Sequence, residues 1–376
     1  MIKRVLIIQQ IIPEYRKDFF NLLKSELSKD GIELMLVYGN KSSSYKSGDH
    51  YSTIDWGKFV FNKTIRLGKI EICWQPVLKY IKYKDLIIVE QANRLVFNYL
   101  IMVLKYFLGI KLGFWGHGRN FKKVEGSLSN KFTLKYLRNC DWWFAYTKSV
   151  KFFLINNKYP SNKITVVQNA IDTANLRKEL IEIKDNEINE LKSQLKIDGD
   201  NTAIFCGGMY PEKRITFILK SCHIIKKEIP DFHMIFIGSG VDVNKVKAAA
   251  DIFKWIHYLG TKNGKERIKY FKIATIQLMP GAVGLAILDS FALETPIITT
   301  RDKSHGPEID YLENEKNGII TENVLEEYTR ITIDILKNKK YLDLIPGCKY
   351  SASTFTVERM VQNFKNGILQ CLTESK

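Results

Sequence analysis

The chain has 376 residues, 45% of them hydrophobic, and a formal net charge of +17. That length suits two domains of about 170–200 residues, and the apolar content excludes global disorder. No run of about 18 uninterrupted apolar residues occurs, which argues against a transmembrane helix, and the opening MIKRVLIIQQ is too short in its apolar run for a secretory signal.

The positive balance admits three kinds of partner: nucleic acid, an anionic membrane, or a phosphorylated substrate. Lysines are spread along the whole chain without one dense block. The six cysteines (Cys73, Cys140, Cys206, Cys222, Cys348, Cys371) form no CxxC pair, and are expected to be reduced core thiols.

In chain order, Arg4–Gln9 reads as a first buried strand and Lys17–Ser28 as the first helix. Between them lies QQIIPEYRKDFF, where a dinucleotide site would carry GxGxxG; no glycine is present, which argues against NAD. Glu14, Tyr15 and Arg16 are then candidates to face an acceptor. Further strands are expected at Glu33–Tyr38, Asp85–Val89, Lys111–Trp115, Trp142–Tyr146 and Ile164–Val167, with an irregular excursion over 41–68. Leu95–Leu108 is too short to span a bilayer, and reads as a buried helix. FWGHGRN places His117 at a strand's carboxyl end between two glycines, open to either a substrate contact or a structural hydrogen bond, with Arg119 two residues on.

The segment 173–200 is rich in Glu, Lys, Asp and Asn and reads as a surface helix and linker between domains. Alternation then restarts, with strands expected at Thr202–Cys206, Phe232–Ile237, Trp255–Leu259, Thr275–Met279 and Pro296–Thr300. Helices are expected at Ile215–Glu228, Gly264–Lys272 and Val357–Leu372. In doubly wound sheets ligands bind beyond the carboxyl ends of strands, so the turns there carry the candidates. FCGGMYPEKR ends a strand in Gly207 and Gly208, turns at a proline, and opens a helix with Lys213 and Arg214, a pattern suited to a phosphate. MPGAVGLAILDSFALETPIITT runs from a strand through a small-residue loop into a helix starting near Leu285. Its unpaired amides suit a diphosphate, and Asp289, one turn inside the helix, could accept from ribose hydroxyls. No Walker A, HExxH or GxSxG sequence occurs. Asp198-Gly199-Asp200 reads as a turn rather than a metal site.

In their order and spacing these segments resemble glycosyltransferase family 4, of the GT-B fold, most closely from about Thr202 to Gly318. GGMYPEKR looks like the family's phosphate loop, KITVVQNAID like the end of its first domain, FIGSG and YLG like its nucleotide-side strands, and MPGAVGLAILDSFALETPIITT like its Glu-x7-Glu signature. The resemblance implies an α/β architecture of two Rossmann-like domains facing a central cleft. Residues 1–172 would form the acceptor domain, 173–200 a linker, 201–350 the nucleotide-sugar domain, and 351–376 a helix crossing back to the first domain.

It also implies roles. Lys213 would hold the donor diphosphate, with Gly207, Gly208, Arg214 and the loop Gly281, Ala282, Val283, Gly284 and Leu285 around it. Asp289 would meet the ribose, the base would lie near Tyr258 and Leu259, and His117 would lie near the transferred sugar. The signature's first glutamate falls at Gly281, its second at Asp289, and the phosphate loop's arginine at Gly208; Arg214 or Arg119 would then supply that charge. The implied activity is retaining, metal-independent transfer from a nucleotide-sugar, UDP-linked by preference. The acceptor would be a polyprenyl-pyrophosphate-linked saccharide at the cytoplasmic membrane face, in O-antigen or capsule assembly. No cofactor, metal or nucleic acid is expected. The alternatives are a nucleotide-sugar epimerase, or a non-catalytic nucleotide- or nucleic-acid-binding protein of the same fold.

Overall fold

The computed structural model describes residues 2–40, 51–68, 70–118 and 136–374. The chain divides into two compact units: unit 1 is Met1–Asn169 with Val357–Lys376, and unit 2 is Ala170–Thr356.

Unit 1 is built on seven parallel strands. They are β1 (Lys3–Gln9), β2 (Ile32–Gly39), β3 (Lys58–Val60), β6 (Leu86–Glu90), β7 (Lys111–Gly116), β8 (Trp142–Ala145) and β9 (Ile164–Val166), in the order β3-β2-β1-β6-β7-β8-β9. A separate antiparallel hairpin joins β4 (Lys63–Leu67) to β5 (Ile70–Trp74). The central strands are buried on both faces, as unbroken apolar runs such as VLII and LIIV require. Helix Lys17–Lys29 turns Phe19, Phe20, Leu23 and Leu27 inward. Helix Val357–Thr373, more than 180 residues later in the chain, packs on that helix and on β8 and β9. Phe364 stacks on Phe144 at 4.4 Å and meets Trp115 edge-on at 4.9 Å. A buried phenylalanine stabilises by roughly 1.5–3 kcal/mol, so this helix is part of the unit's core.

Two expectations change here. β3 and β4 occupy part of the stretch read as irregular, whose residues 41–50 lie outside the described residues. Helix Val96–Leu108 is not buried all round: Phe97, Ile101 and Lys105 face in, but Val103, Tyr106 and Phe107 face water. Lys105 reaches inside because Asp141 meets its ammonium at 2.8 Å. Among the described residues no helix is long and apolar enough to cross a membrane.

Unit 2 has six parallel strands: β10 (Thr202–Cys206), β11 (His233–Ile237), β12 (Ile256–Tyr258), β13 (Ile276–Leu278), β14 (Ile297–Thr300) and β15 (Gly318–Thr321). Their order is β12-β11-β10-β13-β14-β15. The stretch read as a surface helix and linker holds two helices, Thr173–Glu182 and Asp185–Leu195. Ile183 and Ile188 join the core cluster that holds Ile204, Ile235 and Phe271. With Leu176, Leu180, Leu191 and Leu195 they supply the apolar side of an otherwise polar segment, which docks it onto the unit.

Candidate functional site

In unit 2 the chain winds from β10 outward to β12, then restarts at β13 on the other side, so the strand order reverses between β10 and β13. A crevice opens at such a reversal, beyond the carboxyl ends of the strands. The two loops that leave those strands are bonded to each other. The amide of Ala282 donates to the carbonyl of Glu212 at 2.8 Å, and the ammonium of Lys213 donates to the carbonyl of Ala282 while lying 3.7 Å from the sulfur of Met279. Lys213 ends a 3-10 turn, Pro211–Lys213, and Arg214 follows at φ 58° before helix Ile215–Glu228 begins.

The closeness of the loops explains Gly281. A Cβ there would lie 2.1 Å from the Glu212 carbonyl oxygen and 2.9 Å from the Cα of Lys213. The backbone leaves no room for a glutamate, so the position cannot carry the carboxylate that the signature expects. A different buried carboxylate stands nearby: Glu308, from the turn Pro307–Tyr311, is 4% exposed. Its Oε2 is the nearest atom, at 4.0 Å, to a Cβ built on Gly284, and lies 2.8 Å from one built on Gly306.

The amides of this loop are not all open, as the sequence suggested. Ala282 is taken by Glu212, and Val283 donates to Nδ1 of His305 at 3.0 Å. The other ring nitrogen of His305 donates to the carbonyl of Thr300 at 2.7 Å, so the imidazole is neutral with its proton on Nε2, and burial pushes its pKa down. Among the described residues, the amides of Gly284 and Leu285 have no partner. The arrangement offers a cation and two N–H donors to one small anionic group.

The remaining candidates of unit 2 have other duties. Arg214 turns its guanidinium to the carbonyl of Pro280 at 3.4 Å, to Thr300 Oγ1 at 3.3 Å and to Asn323, with Asp302 at 3.9 Å. It ties loops together. Asp289, expected at the ribose, is held by Arg267 through two bonds of 2.9 Å. Asp289 raises the pKa of Arg267, so the guanidinium keeps its charge. The buried thiol of Cys206 lies beside the same guanidinium, and burial pushes it up to about 11. Gly207 and Gly208 end β10. A Cβ on Gly238 would lie 1.9 Å from the Gly207 carbonyl oxygen, so the two strand ends approach closely because Gly238 has no side chain. Tyr258 donates its hydroxyl to the Gly238 carbonyl at 3.2 Å, and Leu259 continues the ladder to Phe236.

In unit 1 the strand order reverses between β1 and β6. There Gln10 accepts two bonds from Arg94, at 3.0 and 2.8 Å. Glu14 and Tyr15 are exposed, but Arg16 is only 4% exposed, which corrects its reading as an acceptor contact. Its Nη2 donates to Tyr146 at 3.1 Å and to Asn169 at 2.9 Å, and its guanidinium lies 4.1 Å over the Trp115 ring. Nη1 is buried with no hydrogen-bond partner. Arg16 therefore braces the ends of β8 and β9. His117, exposed after β7, meets the Tyr146 ring edge-on at 4.4 Å. Arg119 lies outside the described residues.

Residues 187–345 match the family model of glycosyl transferases group 1. The matched stretch lies within unit 2. An uncharacterized glycosyltransferase of Haemophilus influenzae is 24% identical over 308 residues, 78% of each chain. The whole chain has the GT-B fold. Anabaena HepE, solved with UDP, superposes with a TM-score of 0.70 at 13% identity, over 98% of this chain and 99% of that one. A lipopolysaccharide outer core galactosyltransferase, WaaB, gives 0.65 at 14% identity, over 98% and 99%. The matched stretch contains both bonded loops. Sequence reasoning missed Arg267, inside helix Gly264–Ile273, and His305 and Glu308, whose only signal was placement after a strand.

Proposed function

We propose that the protein is a retaining, metal-independent glycosyltransferase that takes its sugar from a nucleotide-sugar, UDP-linked by preference. The observation that carries this reading is the pairing of Lys213 with the open amides of Gly284 and Leu285, at the strand reversal of the stretch that matches glycosyl transferases group 1. These groups suit the charge that grows on a departing diphosphate. HepE, of the same fold, has been solved with UDP and with UDP-glucose, which supports the uridine preference. As the bond from the anomeric carbon to the diphosphate breaks, the acceptor hydroxyl attacks from the same face and its proton passes to the departing phosphate oxygen. His117 orients the sugar, and Glu308 takes the part left vacant at Gly281 by contacting its hydroxyls.

The acceptor in this reading is a polyprenyl-pyrophosphate-linked saccharide at the cytoplasmic membrane face, within surface-polysaccharide assembly. The net charge of +17 and the likeness to WaaB support it. A thermal-shift series with UDP, GDP and dTDP tests the donor. UDP is expected to raise the melting temperature most, since a ligand bound only by the folded state stabilises it by mass action; no response to any of the three rejects the reading. NMR of the product tests the stereochemistry, and an inverted anomer rejects retention.

A further inference from the structure

The net charge is not shared between the units. Unit 1 carries 31 lysines and arginines against 14 aspartates and glutamates; unit 2 carries 26 against 26. The whole +17 sits in unit 1. Exposed aromatics divide the same way: among the described residues, seven of the eight large exposed aromatic side chains belong to unit 1.

The two properties coincide in Lys58–Arg66, a stretch with no acidic neighbour in sequence, whereas the lysines around Tyr83 run directly into Asp85. It forms the edge strand β3 and the first strand of the adjoining hairpin. Phe61 and Ile65 are 74% and 62% exposed, and Phe59, 46% exposed, packs edge-on against Phe61 at 5.0 Å. Lys58, Lys63 and Arg66 interleave with them. No acidic residue occurs between Asp55 and Glu71. Glu71 stands opposite Arg66 in the hairpin register, and neither Lys58 nor Lys63 has a carboxylate partner among the described residues. The amino-end edge of the same sheet differs. It too exposes aromatics, Tyr83 and Phe107, but there Lys3 pairs with Asp85 and Arg4 with Glu33.

Asn62 fixes where the ribbon lies. Its buried amide nitrogen donates at 2.9 Å to the carbonyls of Gln10 and Asn40. The ribbon is thereby pinned to the turn after β1, which leads into Glu14 and Tyr15. Apolar side chains in water at this density gain by leaving it, and aromatic rings among lysines suit the headgroup level of a bilayer. Each cation near an anionic lipid surface strengthens binding about fivefold.

We infer that the ribbon Lys58–Arg66 is the surface by which unit 1 docks on an anionic phospholipid membrane, beside the acceptor side of the unit. The inference rests on the reading of a membrane-borne acceptor, and it assigns that contact to named residues.

Co-sedimentation with vesicles tests it on the full chain. Phosphatidylcholine vesicles with phosphatidylglycerol should pellet the protein, plain phosphatidylcholine much less, and high salt should release it. K58Q/K63Q/R66Q should weaken partitioning about 100-fold, and F61S/I65S about tenfold. Y83S/F107S should leave it unchanged. All substituted side chains lie on the surface, and circular dichroism checks that each variant is folded. Binding that survives both ribbon variants, or is lost equally in Y83S/F107S, overturns the inference. So does a preference for DNA over vesicles, or self-association through the ribbon. The UDP thermal shift on the same samples keeps the two readings apart: a protein that answers UDP but ignores anionic vesicles overturns the docking inference alone.

Discussion

Unit 1 wears its charge and aromatic rings on the outside, whereas unit 2 balances its charges and spends its functional side chains on one another. In unit 2, Arg267 is bound to Asp289 between two helices, and His305 to Val283 and Lys213 to Ala282 between loops. In unit 1 cations such as Lys58 and Lys63 face water. The difference separates two kinds of recognition. A loop braced by buried bonds presents a few donors to a small ligand with little reorganisation. A diffuse cationic surface recognises an extended anionic one, and its attraction fades with salt.

The largest effect that would break this comparison is expected at Lys213. K213A should lower transfer about 100-fold, in line with losing one stabilising donor at a developing charge, and should abolish the UDP thermal shift. Its vesicle binding should match the parent. Loss of vesicle binding in K213A would show that the two surfaces are not independent.

Next come two glycines of one loop. G281A should destabilise unit 2 by about 2–3 kcal/mol, because its Cβ would meet backbone that cannot move aside. G284A should cost less than about 1 kcal/mol, since the nearest atom is at 4.0 Å. Urea midpoints of the two variants check this. Equal midpoints would mean that the loops separate freely and do not brace each other.

The smallest effect is acid sensitivity, placed by the structure in unit 2. His233 Nδ1 lies 3.0 Å from His257 Nε2, and both rings are buried. Burial, aided by the neighbouring ring, lowers the pKa of His257 to about 4. A depressed histidine pKa means that the unfolded chain binds the proton more readily. The pair's contribution is therefore complete above about pH 6.5 and is lost as pH falls toward 4, amounting to about 2 kcal/mol by pH 5. H257Q should flatten that slope in urea titrations. An unchanged slope would move the acid sensitivity elsewhere.

Much of this architecture could be read from the amino acids. Strands such as IFC and MIFI are buried on both faces, so they appear as unbroken apolar runs. The three-residue β3 and the four-residue β15 have too little sequence to show a period. Helix Val96–Leu108 was misread as buried because its exposed positions are also apolar. At the site, the loops and their order were legible, since glycine, proline and lysine mark a turn locally. Their pairings were not: Arg267 meets Asp289 from 22 residues away, and His305 reaches Val283 from the same separation, through strand order alone. The segregation of charge was present in the composition, since residues 1–169 alone carry 28 lysines and arginines against 12 aspartates and glutamates.

That return of Val357–Thr373 to the first sheet has a consequence for synthesis on the ribosome. By the time residue 356 has emerged, every strand of unit 2 is available for folding, yet Phe144, Trp115 and Phe19 still wait for Phe364 to cover them. Domains fold as units when their last element arrives. The half of the protein translated first is therefore completed last, and a nascent chain stalled short of its final helix would hold a finished unit 2 beside an uncovered aromatic face.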